Sequence, residues 1–233
     1  MKGRTLARAV ALAAGLAALA VVLLHLYVAA MIAWWGTHAP RETAFMAERM
    51  QELHRKNPRA PLRYQFVPYE RIATSLKRAM IAAEDSKFVE HEGFDWDGIE
   101  LALEKNQRRG RIVAGGSTIT QQLAKNLFLS GSRSWLRKGE EAVITLMLEA
   151  ILDKRRIFEL YLNVIEWGNG VFGAEAAAQR YFGVPAARLS IEQAARLAAM
   201  APNPRFYEHN QGAPGLNRKI RIILARMPAA DLP

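Results

Sequence analysis

Between Ala9 and Trp35 the chain is apolar except for His25 and a few small residues. As a helix this stretch reaches about 40 Å, longer than the roughly 30 Å hydrocarbon core of a bilayer. Such a segment either crosses a membrane or is buried on all sides within a protein. A cleaved secretory leader has an apolar stretch of only about 7–15 residues, so this one is expected to stay attached as a single transmembrane helix. Trp34 and Trp35 close it at the depth where aromatic anchors sit. Lys2, Arg4 and Arg8 precede it and no basic residue follows at once. That asymmetry predicts residues 1–8 in the cytoplasm and the body of the chain outside. His25 reads as a packing or interfacial residue.

The length of 233 residues allows one domain of ordinary size besides the anchor, and a hydrophobic content of 51% is enough for a core. Cysteine is absent, which excludes disulfides, thiolate metal sites and a thiol nucleophile. Formal net charge is +10. A basic body fits nucleic acid, an anionic membrane surface or a phosphate-bearing substrate. Its expected location outside the cytoplasm argues against nucleic acid.

Residues 40–57 are amphipathic, with Phe45, Met46, Met50 and Leu53 near helical spacing, and are expected as a stalk close to the membrane. Arg63 to Val67 alternates like a short strand. Helices are expected over 70–84 and 96–107, the latter closing in a basic, glycine-bearing loop over 108–114. Thr118 with Gln121 matches a capping box, so a helix begins there, burying Ile119, Leu123 and Leu127. Residues 137–165 open with charge and become apolar nearly all round, which predicts a central buried helix. An alanine-rich helix over 174–182, a helix capped by Ser190 and Gln193, and a basic helix over 216–227 complete an all-α body. Everything after residue 68 is helical in pattern.

Chemistry concentrates in three places. Glu84 to Asp95 packs five carboxylates beside His91, with Phe88 and Gly93 among them; its bland reading is a solvated acidic turn. Adjacent carboxylates on a helix diverge, so Glu84 and Asp85 do not form a dyad, and a partner for Glu84 is expected from a distant helix. Thr118, Gln122, Lys125 and Asn126 form a polar stripe behind two glycines whose N–H groups suit an anion, or else a merely wet helix face. Glu141 follows Arg137 and Lys138 by one turn, as a functional carboxylate or an ordinary i,i+4 ion pair. Two carboxylates flanking a sugar bond would make a glycosidase. Several cations beside one carboxylate base fit better the transfer of a sugar from a diphosphate whose charge must be neutralised as it leaves.

Four blocks carry a family resemblance. They are Glu84-Asp85-x-x-Phe88-x-x-His91-x-Gly93; Gly115-Gly116-Ser117-Thr118-Ile119-Thr120-Gln121-Gln122-x-x-Lys125-Asn126-x-Phe128; Arg137-Lys138-x-x-Glu141; and Lys154-x-x-Ile157-x-Glu159-x-Tyr161-x-Asn163 running on through Gly168, Gly170 and Gly173. With Tyr181-Phe182-Gly183 they cover about residues 60–225, and the chain resembles the monofunctional biosynthetic peptidoglycan glycosyltransferases, the same module found in class A penicillin-binding proteins. The resemblance implies an all-α, lysozyme-like domain with head and jaw lobes behind one N-terminal transmembrane helix. It divides the chain into a cytoplasmic 1–8, an anchor 9–35, a juxtamembrane stalk 36–59 and a catalytic domain 60–233. The implied reaction polymerises lipid II into linear β-1,4 glycan strands and releases undecaprenyl diphosphate, on the outer, periplasmic face of a bacterial inner membrane.

Residue roles follow from the same resemblance. Glu84 is the implied base for the acceptor's 4-hydroxyl, and Lys125 and Arg133 the cations on the donor diphosphate. Glu141 matches a second essential carboxylate whose role is open between metal placement, diphosphate placement and acceptor orientation. Ser117, Thr118, Gln122, Asn126, Arg137 and Lys138 are expected to line the cleft, with Asp85, Phe88, His91, Gly93, Lys154 and Asn163 in support. A divalent ion, Mg2+ or Mn2+, is expected through the diphosphate, although no protein cage is visible for it. Lipid II, the growing strand, the membrane and other wall-synthesis and division proteins are the expected partners. No Ser-x-x-Lys or Lys-Thr-Gly occurs, so a transpeptidase is absent. The rival readings are a lytic, lysozyme-like enzyme that cleaves glycan and a basic membrane-tethered scaffold.

Overall fold

The computed structural model describes residues 2–111, 115–129, 131 and 134–233. The apolar run forms one helix, α1 (Lys2–Trp35), and Ala7–Trp35 is long and apolar enough to cross a membrane. Its outer part is exposed, but Val28, Ile32 and Trp35, spaced four and three apart, are buried in the core of the body. The last two turns of the anchor therefore belong to the folded domain as well as to the apolar segment.

The segment expected as a stalk is not free of the body either. Helix α2 (Ala44–Lys56) is capped by Thr43, whose side chain accepts from the Met46 N–H at 3.2 Å. It buries Phe45, Met46 and Met50 and packs on α5 (Ile119–Phe128). An amphipathic helix with three large apolar side chains on one face needs a partner surface, and the domain supplies it. The boundary drawn at residue 60 thus falls where packing is continuous.

The helical reading holds for most of the rest. α3 (Thr74–Glu84) follows a 3-10 turn at Tyr69–Arg71, and α4 (Trp96–Arg109) is capped by Asp95 and closed by Gly110 at φ +60°. α5 carries the expected capping box between Thr118 and Gln121 and buries Ile119, Leu123 and Leu127. The expected segment 137–165 breaks in two. α6 (Trp135–Ile151) ends before Asp153, whose carboxylate caps α7 (Lys154–Val164) by accepting from the Arg156 N–H at 2.7 Å. α7 is the central helix, with every residue from Ile157 to Val164 except Glu159 buried. α6 corrects the expectation of burial all round, since Val143, Leu146 and Ile151 are exposed. It packs on α1 as well as on α5.

One stretch is not helical. β2 (Glu166–Gly168) and β3 (Val171–Phe172) pair antiparallel, and β1 (Arg63–Tyr64) joins β3 in parallel, in the order β1-β3-β2. Gly170 at φ +67° turns the chain there, and a Cβ on it would lie 2.8 Å from the Pro61 carbonyl oxygen. The glycines forbid a continuous helix at this point. α8 (Ala174–Phe182), α9 (Ile191–Met200), a short α10 (Pro204–His209) that the sequence did not announce, and α11 (Pro214–Arg226) follow. α3, α9 and α11 pack together on one side of the molecule; α5, α6 and α7 pack together on the other.

Asn163 ties the strand region to α7. Its Oδ1 accepts from the Val67 N–H at 2.9 Å, while its Nδ2 donates to the Val67 and Glu159 carbonyls at 3.0 and 2.8 Å. Asn163→Ala strands buried backbone groups, each worth about 1–3 kcal/mol. We expect the thermal midpoint in detergent to fall by roughly 4–12 °C; an unchanged midpoint would show that this bridge contributes nothing.

Candidate active site

Glu84 is the last residue of α3, and its carboxylate lies at the floor of a cleft of about 410 Å3. Ser117, Gln122 of α5, and Lys219, Ile222 and Arg226 of α11 line this cleft. Gln122 Nε2 donates to Glu84 Oε2 at 2.8 Å. The amide is oriented by its other end, because Tyr161 Oη donates to Gln122 Oε1 at 3.2 Å. Glu84 Oε1 has no partner, and among the described residues it is the one buried carboxylate oxygen of which this is true. Burial pushes the Glu84 carboxyl above the usual glutamate value; Gln122, Lys219 and Lys125 oppose that rise, and Asp85 adds to it.

Asp85 sits beside Glu84 in sequence but turns away, as the divergence of helical neighbours requires. It accepts from His91 Nε2 at 3.0 Å and from the Ile119 N–H at 2.9 Å, the first backbone donor of α5. An acid at a helix N-terminus is well placed electrostatically. Thr118 Oγ1 donates to the Gly93 carbonyl at 2.7 Å. Gly93 itself has φ +87°, and a Cβ there would meet Thr145 Cγ2 at 2.8 Å. Lys154 Nζ donates to the His91 carbonyl and to Glu149 Oε1, the latter at 2.9 Å, and lies over the ring of Phe88 at 4.7 Å. Asp85, Phe88, His91, Gly93, Thr118 and Lys154 thus fasten the acidic turn to α5, α6 and α7. Asn163 acts farther off, through Val67.

The second half of the site lies across Gln122. A smaller cavity of about 150 Å3 is lined by Gln122, Lys125 and Asn126 of α5, Phe45 and Arg49 of α2, Tyr161 and Glu166. Burial holds the Lys125 ammonium below its ordinary value, with Arg137 and Arg49 acting in the same direction and Glu141 and Glu166 against it. Arg49 Nε and Asn126 Oδ1 are buried without hydrogen-bond partners, so this pocket also keeps unspent polar capacity. Glu166 is raised chiefly by burial, its nearest cations being Arg49 at 3.4 Å and Arg205 at 3.8 Å.

Glu141 does not face Glu84. It is 3% exposed and accepts from Arg137 at 2.7 Å and from Lys138, so both its oxygens are engaged within its own helix. Its electrostatic reach is toward Lys125. Arg137 and Lys138 accordingly hold Glu141, and neither lines the cleft above Glu84. The partner expected for Glu84 from a distant helix is an amide, Gln122, with Lys219 as its strongest cation. Arg133 lies outside the described residues. Among the described residues no group of three or more His, Asp or Glu is placed to hold a metal ion.

The sequence reading missed Lys219 and Arg226 because α11 is a basic amphipathic helix like many others, missed Arg49 because α2 looked like a stalk, and missed Glu166 because it stands in a short strand with no local signal. Tyr161 was legible as a core aromatic, but its hydroxyl contact was not.

A helical domain that holds one half-satisfied carboxylate in a cleft, with cations on both sides of it, has the makings of an acid–base enzyme acting on an anionic substrate. Comparison with known proteins narrows the class. The model of the transglycosylase family matches residues 49–228. The chain is 65% identical over 209 residues to the biosynthetic peptidoglycan transglycosylase of Dechloromonas aromatica (strain RCB), covering 90% of each chain. It is 60% identical over 215 residues to the protein of that name from Herminiimonas arsenicoxydans, covering 92% of this chain and 93% of the other. The chain belongs to the transglycosylase family. The match begins inside α2, which fits the packing of that helix on the domain.

The buried carboxyl gives a pH test. Unfolded, Glu84 titrates near the ordinary 4.5; folded, it keeps its proton to higher pH. The folded state therefore binds more protons in that window, so stability falls as pH rises through it and stays reduced above it. Glu84→Gln removes the charge and keeps an acceptor for Gln122. We expect it to stabilise the fold at neutral and alkaline pH by on the order of 1–3 kcal/mol, with the gain vanishing below pH 4.5. Thermal midpoints across pH check this, and a pH-independent difference would contradict it.

Proposed function

We propose that this chain polymerises lipid II into linear β-1,4 glycan strands, with Glu84 as general base. The carrying observation is the unpartnered, buried Oε1 of Glu84 at the floor of a cleft of sugar size. Family membership and the names of its relatives support the same reading. The acceptor's 4-hydroxyl of N-acetylglucosamine enters the cleft and donates to that oxygen. As Glu84 takes the proton, the hydroxyl oxygen bonds to the anomeric carbon of the donor N-acetylmuramic acid. The bond from that carbon to the diphosphate oxygen breaks on the opposite face, with inversion. Undecaprenyl diphosphate leaves with the bonding pair.

The rest of the site divides the work. Gln122 holds Glu84 in place without neutralising it, and Lys219 keeps a positive charge near enough to favour its ionised form. A base is most effective when its pKa lies close to the working pH, so an upward shift of the carboxyl serves proton removal. Lys125, with Arg133, receives the diphosphate; a desolvated ammonium gains more from an incoming anion than a hydrated one. Glu141, held by Arg137 and Lys138, sets the field at Lys125. The described donors fit a divalent cation carried on diphosphate oxygens better than one caged by protein, and such an ion would neutralise charge on the leaving group. We further propose that α1 is a single-pass anchor in the bacterial inner membrane with residues 1–8 inside and the body on the outer face, where other wall-synthesis proteins meet it.

Lipid II turnover by wild type and Glu84→Gln, each with and without a chelator, tests this. Glu84→Gln should lose polymerisation by about 10²–10⁴-fold, the usual contribution of a positioned base, despite its higher stability. Chelation should slow the wild type. Cleavage of finished glycan without polymerisation would replace the reading with that of a lytic enzyme.

A further inference from the structure

Arg156, in the first turn of α7, takes no part in the cleft; its guanidinium reaches the exit of the anchor instead. Nε donates to the Trp35 carbonyl and Nη2 to the His38 carbonyl, both at 2.7 Å, while Nη1 meets the Glu159 carboxylate. The last carbonyls of a helix have no partners within it. Here those of Ile32, Ala33 and Trp34 accept from the backbone of Gly36, Thr37 and His38. The next one, that of Trp35, accepts from Arg156. A cation in this position also complements the helix dipole, and bonds from a charged donor are stronger than neutral ones.

The clamp is seated in a packed joint. Ile32 and Trp35 are in the core, Trp35 meets Phe128 at 5.2 Å, and Tyr64 Oη donates to the Pro40 carbonyl at 2.6 Å. Glu159, the counter-charge of Arg156, also accepts from the Tyr69 N–H at 2.6 Å, which orients it from the body's side. The same helix carries Tyr161, whose hydroxyl orients Gln122 and through it Glu84. One rigid helix of 11 residues thus links the end of the anchor to the base.

We propose that Arg156 is a positioning residue: by locking the end of α1 to α7 it fixes the height and tilt of the Glu84 cleft over the bilayer. This rests on the reading of lipid-linked substrates given above. Both substrates of that reaction are tethered in the membrane that holds α1, so the sugar meets Glu84 only if the cleft stands at the matching height. A substrate delivered from solution has no such requirement.

Two measurements on the full chain test this. In proteoliposomes carrying long-chain lipid II, Arg156→Ala should lose activity by roughly tenfold or more, as misplacement remote from the chemistry can do. In detergent with a short-chain, water-soluble lipid II, the loss should stay within about twofold, inside the scatter of a surface change. Arg156→Lys, which can reach one carbonyl only, should fall between wild type and Arg156→Ala. Arg156→Gln combined with Glu159→Gln leaves no unpaired charge and should show the same split. Equal losses in both formats, or none in either, would overturn the proposal.

The second measurement does not depend on activity. The chain has no cysteine, so Ala187→Cys on the exposed surface gives one labelling position. Energy transfer from that label to labelled headgroups should give a narrow distance distribution in an otherwise wild-type chain and a broadened or shifted one with Arg156→Ala. An unchanged distribution would also overturn the proposal. Absence of lipid II turnover by wild type, with the shift intact, would instead remove the functional reading and leave the clamp standing.

Discussion

The structure depends on a carboxylate kept buried and half-satisfied. Burial of a charged group without full hydrogen bonding is among the most unfavourable things a fold can do, and proteins normally pair such a group or neutralise it. This chain pairs its other buried acids in the region of the site. Asp85 has His91 and a helix N-terminus, and Glu141 has two cations. Glu84 receives one amide on one oxygen and nothing on the other. A charge-assisted bond of this kind is worth about 1.5–3 kcal/mol, less than the several kcal/mol of desolvation that a buried ion incurs. The carboxyl responds in the direction that balance requires, upward.

Holding that arrangement requires stiffness nearby, and the supporting residues provide it. The acidic turn is fixed at Asp85 and Gly93 to the N-terminus of α5 and at the His91 carbonyl to Lys154 of α7. Gln122 cannot flip its amide without losing Tyr161, because a hydroxyl that donates to Oε1 selects the orientation in which Nε2 faces Glu84. Tyr161 in turn is buried in the centre of α7, where burial also raises its own hydroxyl well above the ordinary tyrosine value, so it keeps the proton it donates. Glu84 is therefore positioned by a chain of neutral donors, which fixes its geometry without discharging it.

How much of this was legible in the sequence depended on whether the signal was local. The capping boxes at Thr118 and Ser190 and the inward stripe of α5 are set by contacts within one turn, and the structure keeps all three. Glu84 was singled out because a dense acidic cluster beside an apolar helix is hard to explain as core, and its role came from the family resemblance. Residues whose role is set by distant neighbours were not readable. Lys219 and Arg49 come to the cleft from opposite ends of the chain, and nothing in their local pattern separates them from solvated charge. α6 was misread for a different reason. Its pattern, apolar nearly all round, implies burial in protein only where water is the alternative, and α6 packs on a helix long and apolar enough to cross a membrane. Gly168, Gly170 and Gly173 announce a turn, but the short strands β2 and β3 were hidden because so few residues cannot show a strand period.

The placement of the cations separates two demands that conflict in a single pocket. A base needs a pKa raised toward neutrality, while a leaving diphosphate needs dense positive charge, which would depress that pKa if it were adjacent. Gln122 stands between the two cavities and lines both. On one side, Glu84 sees Lys219 more strongly than Lys125 and remains raised. On the other, Lys125 sees Arg49 and Arg137 and is itself held below its ordinary value chiefly by burial, with Glu141 and Glu166 limiting the fall. Coulombic effects decline with distance, and Glu84 feels Lys125 less than it feels Lys219 or the Gln122 hydrogen bond. A hydrolase that protonates a neutral leaving group has no such conflict and no reason to desolvate a lysine beside its acid. The buried Lys125, set apart from Glu84 by an amide, is the feature of this site that a diphosphate donor explains and a glycan-cleaving mechanism does not.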